Sequence, residues 1–414
     1  MRINNIIIGL SALAFVACTN AKSEEKPSNV KTEEEASNGL EKIPLFSECK
    51  VYNNNLSAVA SELDFVALDM SQPIRPFWVL DVALTDDYIF LMEMYKISQY
   101  DRNGKFIRSI GSKGRGPKEY LQLNPPLQLD RKQKQIYAND CRGNKILVYG
   151  FDGKFLKEIR VKKDVGCIQI IDSSIIVSRQ NLDQRLIENT PLITFIDGSG
   201  KESKVYLSHL YPRKKEKHGH NGSSYSSLWE DNTSCKYLEY GADTIFRIEK
   251  TNLIPESVLT GEMKPSLKEY FRKDVRDKLL TCQGILRPNC GVFESENILI
   301  FKVFQAKLSY YKIYNKIEKT FSRTFYPDAP VSKRGHCKMN FFIDDIVSGL
   351  NFSPEYQTEG RAISIVAAED IVEKRDEILD FISHHPSKSS AKLRTLIQNL
   401  KEEDNPLMMS VKFK

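Results

Sequence analysis

The stretch Lys96-Ile-Ser-Gln-Tyr-Asp-Arg-Asn-Gly-Lys-Phe-Ile-Arg-Ser-Ile110 returns as Lys145-Ile-Leu-Val-Tyr-Gly-Phe-Asp-Gly-Lys-Phe-Leu-Lys-Glu-Ile159, so the period from Lys96 to Lys145 is 49 residues. A unit of that length cannot bury its apolar face alone and must stack against copies of itself. Each copy opens on an apolar strand core, Tyr88–Leu91 or Gln135–Ala138, and a second strand ends at Tyr100 or Tyr149. Asn103-Gly104 or Asp152-Gly153 then turns the chain into a returning strand, because these pairs accept positive φ. The same meander recurs more faintly from Ile193 to Tyr206, around Gly200-Lys201.

Later units keep the rhythm and lose the wording. Thr244–Ile248 with Ser257–Leu259 reads as one, and Ile298–Phe304, Leu308–Tyr314 and Lys319–Phe321 as another. Ala362–Val366 becomes a unit only with strands borrowed from the chain ends. About six units of roughly four strands predict an all-β fold, a six-bladed β-propeller. After Asp370 the pattern turns helical, a short segment over about 368–404, in which Leu393, Leu396, Ile397 and Leu400 share one face and Asn405-Pro406 ends the helix. Met409, Val411 and Phe413 then alternate with polar residues, as in a half-buried strand. This last strand is expected to join the blade holding Leu63–Leu68, so that the two termini close the ring and leave no open sheet edge.

The N-terminus carries a different message. Residues 1–17 combine Arg2 with a short apolar run, as in a signal peptide. Phe15-Val16-Ala17-Cys18 resembles the lipobox of bacterial lipoproteins, which implies acylation of Cys18 and a membrane partner through that anchor. Residues 18–42 are rich in Glu, Lys, Ser and Asn and read as a flexible tether, with Ser23-Glu24-Glu25 similar to an acidic surface-export signal. Residues 43–414 form the single predicted domain. The net charge of +6 is spread along the chain, and with an export signal this argues against a nucleic-acid partner. Cys282 and Cys290 are close enough to bridge, but no C-x-x-C spacing suggests zinc, so the remaining cysteines are expected to be small buried apolar residues.

The run Tyr100–Tyr120, with its Gly-rich Gly111-Ser-Lys-Gly-Arg-Gly-Pro-Lys-Glu-Tyr120, resembles the six-bladed β-propeller lipoproteins of Bacteroides-type bacteria, whose blades look like NHL repeats. Phe341–Pro354 and the ending Glu402–Pro406 before a basic strand are similar to that family as well. The resemblance implies the fold and an outer-membrane lipoprotein facing the periplasm or the cell surface. It implies little about activity, because one propeller scaffold hosts many chemistries.

The residues themselves offer a few sites. In the Gly111–Tyr120 loop, Arg115 and Lys118 are candidate donors to an anion or glycan, with Tyr120 as a stacking face; the glycines equally let a long connection turn tightly. Trp229 is the expected surface aromatic, whereas Trp78 is expected in the core. His218 and His220 sit among basic residues that repel a cation, so neither a metal nor any other cofactor is expected. Asp81, Asp86, Asp87, Asp140, Asp344 and Asp345 lie near strand ends, where a pair of carboxylates would serve glycosidic chemistry, but Asp is also a common turn residue. There is no serine-nucleophile motif, and Ser389 with Lys392 is an accidental spacing. The expected function is non-catalytic binding of a glycan, peptide or protein partner on the propeller face. Whether the protein is an enzyme stays open at this point, the alternative being a carbohydrate-active lyase or hydrolase using the central pocket.

Overall fold

The computed structural model describes residues 39–162, 165–171, 174–179, 191–207, 227–230, 234–239, 242–264, 281–282, 291–305, 308–326, 338–358 and 360–414. The fold is an all-β propeller. Sheet one runs Tyr356–Thr358, Arg361–Val366, Leu407–Phe413, Ala60–Ala67. The two similar repeats make sheets two and three: Val79–Leu84, Tyr88–Glu93, Lys96–Asp101 and Phe106–Ser109, then Leu123–Asp130, Gln135–Asp140, Lys145–Gly150 and Phe155–Arg160. Sheet four runs from Val165–Ile171 through Ser174–Arg179 and Pro191–Ile196 to Glu202–Leu207. Sheet five runs from Ser227–Glu230 through Cys235–Leu238 and Thr244–Glu249 to Asn252–Leu259, with Glu41–Ile43 added in parallel at its edge. In sheet six, Ile298–Gln305 pairs with both Thr281–Cys282 and Val292–Glu294 on one side and with Leu308–Asn315 on the other, and Leu308–Asn315 also pairs with Thr320–Arg323 and Lys338–Met339.

The expected closure is present: Phe65 faces Met409 and Leu63 faces Val411, so the last strand lies inside a sheet whose outer strand comes from the beginning of the domain. The first strands of neighbouring sheets are linked side by side. The Leu84 amide donates to Thr358 Oγ1 at 3.1 Å, the Leu127 amide to Asp81 Oδ2 at 2.7 Å, and the Ile170 amide to Gln128 Oε1 at 3.3 Å.

The repeated turn is built alike three times. Gly104, Gly153 and Gly200 have φ of +86°, +83° and +89°; Asp101 and Asp197, three residues earlier, each accept two backbone amides of their turn, whereas the second copy has Gly150 there and Asp152 accepts the Lys154 amide. Positive φ alone does not explain the glycines at 104 and 200, since a Cβ there would lie 1.9 Å from the Ala67 carbonyl and 2.5 Å from that of Arg160. The turn therefore docks on the outer strand of the preceding sheet. Large rings fill the space between sheets: Tyr100 and Tyr356 between one and two, Tyr120 and Tyr149 between two and three.

The helical segment comprises α1 (Ala368–Glu373), α2 (Arg375–His384) and α3 (Lys388–Gln398). Ser387 caps α3 by accepting the Ser390 amide at 3.0 Å. Leu393, Ile397 and Leu400 are buried, as their spacing predicts. The helix stops at Gln398 rather than at Pro406, because a turn intervenes in which the Lys401 amide donates to Asp404 Oδ2 at 2.8 Å. Ser389 donates to the Leu63 carbonyl and Lys392 pairs with Asp64, both at 2.8 Å, so these two residues fasten the helix to sheet one. Cys49, Cys167 and Cys235 are buried, whereas Cys290 and Cys337 lie outside the described residues.

Candidate functional site

Most of the acids singled out in the sequence serve the backbone. Asp81 accepts the Val82 and Leu127 amides, and Asp140 accepts those of Leu121, Gln122 and Gly143. Asp344 accepts the Ile346, Val347 and Ser348 amides, and burial still pushes its pKa up against their influence. Asp345 accepts the Ser57 amide at 2.8 Å. These are turn and loop fastenings, the ordinary use of Asp in β proteins.

A carboxylate that sequence reasoning missed lies between sheets five and six. Glu294, 1% exposed, accepts Trp229 Nε1 at 2.6 Å, Lys236 Nζ at 2.8 Å and Lys316 Nζ at 2.6 Å. Lys236 also reaches Glu256 at 2.8 Å; burial alone would lower its pKa, but Glu294 and Glu256 outweigh that and raise it. Three donors occupy most of the roughly four lone-pair positions of this carboxylate, so its role here is to fasten the two sheets together. Beside it, Gln169 donates to Glu230, and Gln357 Nε2 donates to the Glu230 and Glu294 carbonyls at 3.1 Å each. No sequence signal could have found this cluster, since its partners come from separate strands without common spacing.

The Gly-rich loop is clamped. Gly111 has φ +64°, and a Cβ there would stand 2.5 Å from the Tyr149 hydroxyl. That hydroxyl donates to the Lys118 carbonyl at 2.8 Å, while Glu119 turns inward to accept the Gly116 amide at 2.7 Å. Two of the four expected ligand-binding side chains need correction. Tyr120 is 1% exposed and packs in the apolar core, so it offers no stacking face; Trp229 is 3% exposed and spent on Glu294. Arg115 and Lys118 are exposed. The tryptophans exchange their expected places, because Trp78 is 42% exposed and Phe77 71%. The signal was present in Pro73 and Pro76, which break a strand and leave a 3₁₀ turn at Pro76–Trp78. Cys18, His218 and His220 lie outside the described residues, and among the described residues no cluster of three His, Cys, Asp or Glu could hold a metal.

Asp86 and Asp87 do meet other functional groups. They line a cleft of about 360 Å³ between sheets two and three with Thr85, Tyr88, Arg108, Arg131, Lys134, Phe151 and Asp152. Tyr88 and Phe151, both half-buried, meet edge to face at 6.4 Å and 85°. Thr85 Oγ1 accepts the Tyr88 amide at 2.9 Å, which fixes the first turn, and Arg131 donates across to the Leu84 carbonyl at 3.1 Å. The cleft thus joins aromatic faces to acceptors and donors of both charges.

The sequence matches the family described as "Domain of unknown function (DUF4934)" over residues 43–412. The chain belongs to this family. No match was found among curated proteins. Among solved structures, this DUF4934 chain is similar to a Bacteroides fragilis protein described as exported, with 18% identity, TM-score 0.62, and coverage of 90% of this chain and 99% of the other. It is also similar to a member of the DUF4221 family from Bacteroides vulgatus, with 9% identity, TM-score 0.48, and coverage of 86% and 97%.

Proposed function

We propose that this DUF4934 protein is an exported outer-membrane lipoprotein, anchored through Cys18, facing the periplasm or the cell surface, and that it binds a saccharide without transforming it. In this reading residues 1–17 are removed, residues 18–40 tether the domain, Glu41 and Lys42 already belonging to the strand added to sheet five, and the larger sheets are six NHL-like blades of one ring. The observation that carries the binding role is the cleft of Tyr88 and Phe151, with Asp86, Asp87, Arg131 and Lys134 around it. Sugar rings present apolar C–H faces to aromatic rings and hydroxyls to charged acceptors and donors, and this lining supplies both. The use of Asp81 by two backbone amides and of Glu294 by three donors as structural fastenings favours binding over hydrolysis or lyase chemistry. The export reading draws on the signal-like N-terminus and on the exported description of the B. fragilis protein.

The test is calorimetric titration with a panel of neutral and uronic-acid oligosaccharides. Tyr88→Ala and Arg131→Gln should each weaken binding by about tenfold or more, or about 1.4 kcal/mol. Binding that both variants leave unchanged would remove the cleft from consideration. Separately, Cys18→Ser should release the protein from membranes, and undiminished membrane retention would refute the anchor.

A further inference from the structure

One face of the propeller carries three features in a row. Ala67 pairs with Leu407, Val79 with Glu93 and Glu93 with Lys96, so the connections at 68–78, 94–95 and 401–406 leave their sheets on the same side. The Gly-rich loop joins them there, since the Ile110 amide donates to the Ile97 carbonyl as that loop begins. At the centre stands the connection bearing Met70, Phe77 and Trp78, which are 46%, 71% and 42% exposed, with the exposed Arg75 guanidinium stacked 5.6 Å from the centre of the Trp78 ring. On one side Asn405 fastens the acidic turn to it, donating to the Asp69 and Gln72 carbonyls at 2.6 and 2.8 Å and accepting the Ile74 amide at 2.8 Å. Glu402 and Glu403 of that turn are exposed. On the other side Lys96 Nζ donates to the Pro73 carbonyl at 3.2 Å, and Lys113 Nζ lies 3.8 Å from the centre of the Tyr95 ring. Exposed Lys113, Arg115 and Lys118 make that flank basic, the one nearby loop carboxylate, Glu119, being turned onto its own backbone.

An acid–aromatic–base row is complementary to its own image. Rotated by 180° about an axis lying in the face and perpendicular to the row, the aromatic centre meets itself and each acidic end meets a basic end. We propose that this face is a dimerisation surface, whose partner is a second copy of this chain joined by a two-fold axis through the Phe77–Trp78 connection. Phe77 and Trp78 form the desolvated centre, and the charged flanks fix orientation and reject parallel stacking. This surface uses none of the cleft residues, so it stands independently of the saccharide reading.

Sedimentation equilibrium of the full chain over micromolar concentrations tests it. The wild type should dimerise, more weakly at high salt, and Phe77→Ala should raise the dimer dissociation constant about thirtyfold, as loss of a central anchor does. The triple variant Lys113→Glu, Arg115→Glu, Lys118→Glu and the double variant Glu402→Lys, Glu403→Lys should each be monomeric, because like charges then face each other. Mixed in equal amounts, the two variants should form a heterodimer, which also shows that both are folded. A wild type that stays monomeric to about 100 µM, charge variants that dimerise as the wild type does, or a mixture that stays monomeric would each overturn the proposal.

Discussion

The junction between sheets two and three and the junction between sheets five and six solve one geometric problem by opposite chemistry. At the first, Phe90, Ile97, Ile110, Tyr120, Leu147 and Tyr149 close an apolar contact in which two hydroxyls donate to carbonyls, Tyr149 to Lys118 and Tyr120 to Ile110. At the second, a nearly inaccessible carboxylate holds an indole and two ammonium groups. An apolar junction tolerates loss of a single contact because its stabilisation is spread over area. The ionic one is less forgiving, because removing Glu294 strips the buried Lys236 of one counter-charge and leaves it Glu256 at 2.8 Å.

The largest break in this contrast should come from Glu294→Ala. With Lys236 left buried, about 3 to 5 kcal/mol of stability should be lost in denaturant unfolding, and a loss below about 1 kcal/mol would make the cluster ornamental. Next comes a second buried cation of sheet six. Lys312, 1% exposed, donates to the Leu45 and Ser47 carbonyls at 2.6 Å each, and burial lowers its pKa from 10.5 to about 8. The folded state therefore sheds this proton before the unfolded state does, so stability should rise from pH 8 to pH 10 by roughly 2 to 3 kcal/mol relative to Lys312→Met. Parallel pH profiles of the two proteins would contradict this. Above pH 10 the tyrosines act the other way, since burial raises Tyr100 and Tyr120 to about 12 and the unfolded chain ionises first. The smallest effect belongs to the apolar junction: Tyr149→Phe, which removes the bond to the Lys118 carbonyl, should cost about 1 kcal/mol. A cost as large as that of Glu294→Ala would erase the distinction between the junctions.

The same contrast explains what could be read in the chain. Asn103-Gly104 and Asp152-Gly153 act within five residues of themselves, and the alternation of Met409, Val411 and Phe413 reports a sheet face directly, so turns, meanders and the closing strand were legible. Trp229 and Glu294 lie 65 positions apart, and nothing local distinguishes an indole facing a carboxylate from one facing solvent. Trp78 was legible and misjudged: its apolar neighbours suggested a strand, but Pro73 and Pro76 overrule them by removing backbone donors. Arg115 and Lys118 could be assigned to the surface, yet Tyr120 beside them is claimed by the packing between sheets. The cleft was half visible, through Asp86 and Asp87, because the basic and aromatic residues opposite them belong to the next sheet and to a turn reached only after about forty further residues.

The strand Leu407–Phe413 sits between Ala60–Ala67 and Arg361–Val366. It works as a latch: among the described residues Ala60–Ala67 is held in its sheet through pairing with this strand, and Arg361–Val366 grips the other edge of the same strand. Drawing out that one strand would uncouple two segments that lie far apart in sequence, and a closed circle would become an open spiral.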